Sequence, residues 1–237
     1  MASKICNLQP TADLKSTKNK SAEGVLEVQI GIIGAGNVGK TIARHLVTAG
    51  HKVVISNSRG PESLGGVVHE LGPLARAGTK EEAVQSDLVI LCVHWRHAQE
   101  ALKGVAWSGQ ILVDATNAHI DDPPDISLEG VTRSRAALAK AGRTSSELVA
   151  EWAPGARVVK SISNMPMEWI KDFSGNKPKT VIFTSGDDEA AKRVFIDLLE
   201  GMGFAAVDLG SLHEGGALHE VGAPLSGLDL HLMRRLR

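Results

Sequence analysis

Three glycines, Gly34, Gly36 and Gly39, stand in the run Ile30-Gly31-Ile32-Ile33-Gly34-Ala35-Gly36-Asn37-Val38-Gly39. An apolar strand that enters such a turn and leaves it as a helix can grip a diphosphate. The first glycine permits the tight turn, the second clears a path for the pyrophosphate, and the third lets helix and strand pack. The helix start offers unpaired amides and the positive end of a dipole, so the anion needs no basic side chain. Gly34, Ala35, Gly36, Asn37, Val38 and Gly39 are therefore expected to bind a dinucleotide.

A second group bears on which dinucleotide. The next apolar run, Lys52 to Ile55, leads into Ser56-Asn57-Ser58-Arg59, where NAD-selective domains carry an acidic residue for the ribose 2′-hydroxyl. No carboxylate stands there. Arg59 can make a paired, charge-assisted contact to a 2′-phosphate and Ser58 can add a hydroxyl, so Ser56, Asn57, Ser58 and Arg59 point to NADP. The plainer alternative is a solvated turn, because Asn57, Ser58, Gly60 and Pro61 all favour turns. His94 follows an apolar run, at a strand's carboxyl end where α/β ligands sit, and could protonate a substrate or be a hydrogen-bonded loop residue.

The elements that must position these residues follow from hydrophobic spacing. A strand over Val28–Ile33 leads into a helix over about Asn37–Ala49, with Val38, Ile42, Leu46 and Val47 on one face and Gly50 as its stop. A glycine-interrupted helix over Glu62–Gly72, a brief strand at Leu74–Ala77 and a helical turn at Lys80–Gln85 precede the strong strand Leu88–Val93. A helix at Arg96–Leu102 and a strand at Ile111–Asp114 come next. The acidic, proline-containing stretch His119–Gly130 reads as a loop or the lip of a cleft. Beyond it Thr144 or Ser145 caps a helix with Leu148, Val149 and Trp152, which Pro154-Gly155 ends. Arg157–Ile162 and Thr180–Thr184 read as strands, Asp187–Met202 as an amphipathic helix and Ala205–Leu209 as the last strand.

This alternation predicts an α/β fold: a Rossmann-type doubly wound, mainly parallel sheet with a small C-terminal α/β extension. Residues 1–27 read as a disordered tail, 28–156 as the NADP-binding domain and 157–237 as the extension that completes the cleft. The ending Pro224–Leu232 is too apolar to be free and is expected to dock on its own sheet or on a second subunit.

With 237 residues the chain can bury a sizeable core, but not two large ones. Its 26 basic and 27 acidic residues nearly balance, which argues against a nucleic-acid or acidic-membrane surface and for a small-molecule substrate. No apolar run approaches the roughly 20 residues of a membrane helix. Two cysteines, Cys6 and Cys92, argue for a reducing, cytoplasmic setting and against a disulfide framework. His213, His219 and His231 match no compact ligand spacing, so no metal is expected.

Taken together, Gly34-x-Gly36-x-x-Gly39, the corner Ser56-Asn57-Ser58-Arg59-Gly60-Pro61, Arg157-Val158-Val159-Lys160 and the ending Gly210-Ser211-Leu212 with Gly215-Gly216 resemble the NADP oxidoreductases that depend on the deazaflavin coenzyme F420. The resemblance implies hydride transfer between NADPH and the deazaflavin across a cleft, and a homodimer. It places Gly34, Gly36, Asn37 and Val38 on the pyrophosphate and Ser58 and Arg59 on the 2′-phosphate. Val93, Thr116, Asn117, Ser163 and Asn164 join the cofactor contacts, and His94 and Trp95 stand as candidate catalytic residues. Two segments depart from the family pattern: His94-Trp95 lacks a proline before the tryptophan, and Ser161-Ile162-Ser163-Asn164 replaces an aromatic by Ile162 and shifts the amide by one position. The acceptor is therefore a flavin, a deazaflavin or another compound.

Hydride transfer to a flavin-like ring needs close stacking and exclusion of water rather than a protein acid. The absence of any tyrosine excludes a tyrosine general acid. Two rivals stay open: an NADPH-sensing binding protein without turnover, and a reductase of a small carbonyl or imine.

Overall fold

The structure is a computed structural model that describes residues 28–121, 127–171 and 178–234. The expected tail at 1–27 lies outside the described residues. β1 (Gln29–Ile33), β2 (Lys52–Ser56), β3 (Ala75–Ala77), β4 (Leu88–Leu91), β5 (Ile111–Asp114) and β6 (Arg157–Ser161) are parallel and ordered β3-β2-β1-β4-β5-β6. The chain builds outward from β1 in one direction and then, from β4, in the other. Ligands of such sheets bind at the carboxyl ends of the strands where the order reverses, here β1 and β4.

The strands are apolar on both faces because helices cover both. Ile90, Val113 and Val159 face one core with Ile42 and Leu46 of α1 (Asn37–Thr48), whereas Val89, Leu91, Leu112 and Val158 face a second core with Ala98 and Leu102 of α4 (Trp95–Leu102). The intervening helices are α2 (Gly65–Leu71) and α3 (Lys80–Val84), and α6 (Ser145–Trp152) follows further on. Thr144 caps α6 in a reciprocal box with Glu147.

One helix departs from expectation. The stretch His119–Gly130 is not all loop, because α5 (Leu128–Ala141) begins inside it, and its residues 122–126 lie outside the described residues. Its buried positions are Gly130, Ser134 and Leu138, a narrow stripe of mostly small residues that leaves almost no apolar periodicity to detect. The Ser127 hydroxyl, which accepts from the Gly130 amide at 3.2 Å, and left-handed Gly142 bound it.

After β6 the sheet continues without a break. β7 (Lys179–Gly186) runs antiparallel to β6 through Val159↔Gly186 and Ser161↔Thr184, and β8 (Ala205–Asp208) returns parallel to β7 after α7 (Glu189–Gly201). The boundary expected at 156/157 thus falls between β5 and β6, hydrogen-bonded neighbours in one sheet. Phe195 of α7 is fully buried in the first core. A short α8 (Gly216–His219) precedes the apolar ending, which docks on its own sheet: β9 (His231–Leu232) pairs antiparallel with the start of β7, so β8 is not the last strand.

Candidate functional site

The turn from β1 into α1 is a backbone construction. Gly34 has φ 112°, its amide donates to the Ser56 carbonyl at 2.9 Å, and a Cβ there would meet the Cys92 carbonyl oxygen at 2.3 Å. At Gly39 a Cβ would stand 1.9 Å from the Gly34 carbonyl oxygen. Gly36, the residue that caps α1, differs from both: nothing lies within 4 Å of where its Cβ would be, no side chain caps the helix, and its first turn holds no acidic residue. An uncapped helix start facing open space suits an anion. Ala35, Gly36, Asn37 and Val38 surround that opening, so the residues present fit a diphosphate.

At the end of β2, the Ser56 hydroxyl donates to the Ile32 carbonyl at 3.0 Å and is buried, so Ser56 serves the turn through its main chain. The Asn57 carboxamide accepts from the Arg59 amide at 3.0 Å and donates to the Ser63 hydroxyl at 2.9 Å, which shapes the corner. Ser58 and Arg59 are exposed, and no ion pair engages Arg59 among the described residues.

At the end of β4, a Val93 methyl lies 3.1 Å from the position of a Gly34 Cβ and so packs against the turn. His94 is exposed at the cap of α4, its ring 6.4 Å from that of His97. Trp95 is half-buried, its ring 5.1 Å from Trp152, within the second core. Burial, and then the charge of Asp114, push the Cys92 thiol up to about 12, which keeps it un-ionised and inert near neutral pH.

The ends of β5 and β6 hold a buried ion pair that hydrophobic spacing did not single out. Lys160 Nζ lies 3.5 Å from Asp114 Oδ2 and donates to the Thr116 carbonyl at 3.2 Å, with both side chains fully buried. Asp114 accepts from the Thr116 amide (2.9 Å), the Thr116 hydroxyl (2.7 Å) and the Ser146 hydroxyl (2.5 Å). Thr116 is thereby locked and its hydroxyl engaged. The sequence signal was a single charge at the end of each apolar run, Leu112-Val113-Asp114 and Val158-Val159-Lys160. Behind the pair, His219 Nε2 lies 2.9 Å from the Ser185 hydroxyl. Burial, and then Lys160, push His219 down to about 3, so it is neutral.

Beyond the ion pair the polar groups lack partners. Asn117 Oδ1, Ser163 Oγ and both polar atoms of the Asn164 side chain are buried without a hydrogen-bond partner among the described residues. Leaving such a group unpaired costs about 1–3 kcal/mol. Ile162, just before them, has φ 61°, a left-handed conformation that is an outlier for a β-branched residue and adds about 1–3 kcal/mol of strain.

The connection after β6 then crosses to α1. Glu168, in the 3₁₀ turn Met167–Trp169, accepts from the Asn37 side chain at 3.2 Å, and His45 of α1 donates from Nε2 to the Ile170 carbonyl at 2.6 Å. Burial pushes the His45 pKa down, which favours the neutral ring. Glu168 had no sequence signal, because its relation to Asn37 spans 131 residues. The candidate residues thus gather at the ends of β2, β1, β4, β5 and β6, with Glu168 and Ile170 reaching α1 from the far side.

The histidines of the C-terminal region do not converge. His213 pairs with Glu147 at 3.1 Å, His231 with Asp229 at 3.0 Å and His219 with Ser185. No group of three or more His, Cys, Asp or Glu that could hold a metal occurs among the described residues, and no described helix is long and apolar enough to cross a membrane.

The parallel sheet with helices on both faces defines a Rossmann-type protein. The family model described as NADP oxidoreductase coenzyme F420-dependent matches residues 29–118. A hypothetical protein of Sinorhizobium meliloti is 35% identical, with a TM-score of 0.75 over 87% of this chain and 96% of that one. A structure assigned as an F420-dependent NADP-reductase from an Arthrobacter species is 25% identical, with a TM-score of 0.62 over 78% and 86%. The metalloreductase STEAP3 of Rattus norvegicus is 27% identical over 186 residues, 78% of this chain but 34% of that protein, so the chain spans about a third of that relative's length. The chain belongs to the NADP oxidoreductase coenzyme F420-dependent family.

Proposed function

We propose that the protein transfers a hydride between NADPH and a flavin-like acceptor, either a flavin or a deazaflavin such as coenzyme F420. The observation that carries this reading is the pairing of an uncapped helix start opposite Gly36 with Ser58 and Arg59 exposed at the end of the neighbouring strand. The amides of Gly36, Asn37 and Val38 hold the diphosphate, and Arg59 and Ser58 hold the 2′-phosphate. Val93 packs behind the turn, Thr116 and Asn117 meet the nicotinamide end, and Ser163 and Asn164 close the far side.

Bound NADPH supplies the hydride, and the acceptor ring takes it up together with one proton. The chain's own task is to bind, orient and exclude water. His94, exposed at the end of β4, is the group that exchanges that proton with solvent, with Trp95 beside it.

An acceptor panel tests the reading. NADPH absorbance is followed with riboflavin, FMN, a deazaflavin, a simple ketone and a cyclic imine, each added in excess. Oxidation with a ring acceptor is expected. Oxidation with the ketone or imine alone would move the protein to the carbonyl and imine reductases. NADPH bound but never oxidised would make it a sensing protein.

A further inference from the structure

The geometry points to Asn164 as the residue that recognises the acceptor, through paired hydrogen bonds to the imide edge of a flavin-type ring. This rests on the hydride-transfer reading above and adds the chemistry by which the second substrate is chosen.

The argument starts from strand order. Arg59 follows β2, the glycine turn follows β1, Val93 follows β4, Asn117 follows β5 and Asn164 follows β6. Adjacent strands lie about 4.8 Å apart, so the cleft is about 19 Å from the β2 end to the β6 end. A dinucleotide anchored by its 2′-phosphate at β2 and its diphosphate at β1 extends its nicotinamide over β4 and β5, where Asn117 Oδ1 has no partner among the described residues. The β6 end is left for the other ring.

Asn164 is bound to this cleft by its neighbours in the chain. Four residues later, Glu168 reaches Asn37 at the diphosphate turn, and four residues of chain span at most about 14 Å. The Asn164 carbonyl accepts from the Gly227 amide at 2.6 Å, so the C-terminal segment holds its backbone from the other side. Between these two anchors the side chain is 1% exposed with neither donor nor acceptor satisfied among the described residues, and Ser163 Oγ beside it is likewise unpaired among them. Strained backbone at Ile162 directly precedes them. Buried amides are normally paired, and strain of this kind gathers where a ligand is clamped.

The ligand must complement a primary carboxamide, which presents one acceptor and one donor side by side. The edge of a flavin or deazaflavin that carries a carbonyl next to a ring N–H offers the reciprocal pair. Asn reads the edge of adenine by the same two-bond geometry.

The test is an equilibrium titration of riboflavin and N3-methylriboflavin, followed by flavin fluorescence, with and without saturating NADP. The methyl group removes the ring donor and leaves the rest of the ring intact. We expect the native protein to bind riboflavin at least tenfold more tightly than the methylated ring. Asn164→Leu should bind both with the same weak affinity, in the presence of NADP as in its absence. Because the side chain has no partner to lose among the described residues, Asn164→Leu should melt no lower than the native protein, and Asn164→Ala serves if leucine does not fit. Equal affinity of the native protein for the two rings, or discrimination that survives in Asn164→Leu, would overturn the assignment. Absence of NADP binding by the native protein is read separately and sinks the hydride-transfer reading instead.

Discussion

Replacing Arg59 by aspartate probes the claim on which cofactor choice depends. Arg59 is exposed and lacks an ion pair among the described residues, so its removal breaks nothing in the native fold and costs little stability. In the complex it removes one charge-assisted hydrogen bond of about 1.5 kcal/mol, the low end of the range for an exposed pair, or about tenfold in affinity. The new carboxylate then faces a phosphomonoester of about −1.5 to −2 charges. At about 6 Å in water that repulsion adds about 1 kcal/mol. NADPH should therefore bind on the order of 50-fold more weakly to Arg59→Asp. NADH, which has no 2′-phosphate, should change less than about threefold. Nucleotide fluorescence titrations measure both. The native preference for NADPH should also shrink with salt, as the Debye length falls from about 30 Å at 0.01 M to 3 Å at 1 M. Equal losses for the two nucleotides, or none for NADPH, would refute the phosphate role.

Other substitutions separate binding from folding. Gly36→Val projects into open space, so it should abolish NADPH binding while the melting free energy stays within about 1 kcal/mol of native; a variant that still binds NADPH removes Gly36 from the diphosphate path. Gly39→Ala forces a Cβ to 1.9 Å from a backbone oxygen and should destabilise the fold itself by more than about 2 kcal/mol in urea. Lys160→Met leaves the buried Asp114 charge without its counter-ion, at a cost of about 3–5 kcal/mol, and Asp114→Asn in the same chain should recover most of it; lack of recovery would show that the two charges do not act as a pair. His219, pushed down to about 3 against an ordinary 6.5, is neutral when folded and takes up a proton when unfolded below pH 6.5. Its contribution is complete above pH 6.5 and falls by about 1.4 kcal/mol per pH unit between 6.5 and about 3. His219→Gln should flatten stability over that window, and an unchanged slope would exclude His219 as its source.

Strands β1, β2, β4, β5 and β6 were legible because two-sided burial leaves continuous apolar runs, and the glycine turn because only residues without side chains satisfy its close approaches. α5 was hidden, since Gly130 and Ser134 fill its buried stripe and a helix packed through small residues has no apolar period. The reversal of β7 was hidden as well. Its strand pattern is the same in either direction, and its antiparallel register against β6 joins residues about 25 apart in the chain. His94 and Trp95 are adjacent in the chain, yet one faces solvent and the other packs on Trp152. Local chemistry along the chain thus determined the diphosphate turn and its arginine corner, because backbone conformation and charge act within a few residues. Tertiary structure alone decided that Asp114 and Lys160 are paired in the dark, that Glu168 meets Asn37, and that Asn164 is buried with its amide unanswered. Those relations join strand ends far apart in sequence, and burial is a property of everything packed around a residue.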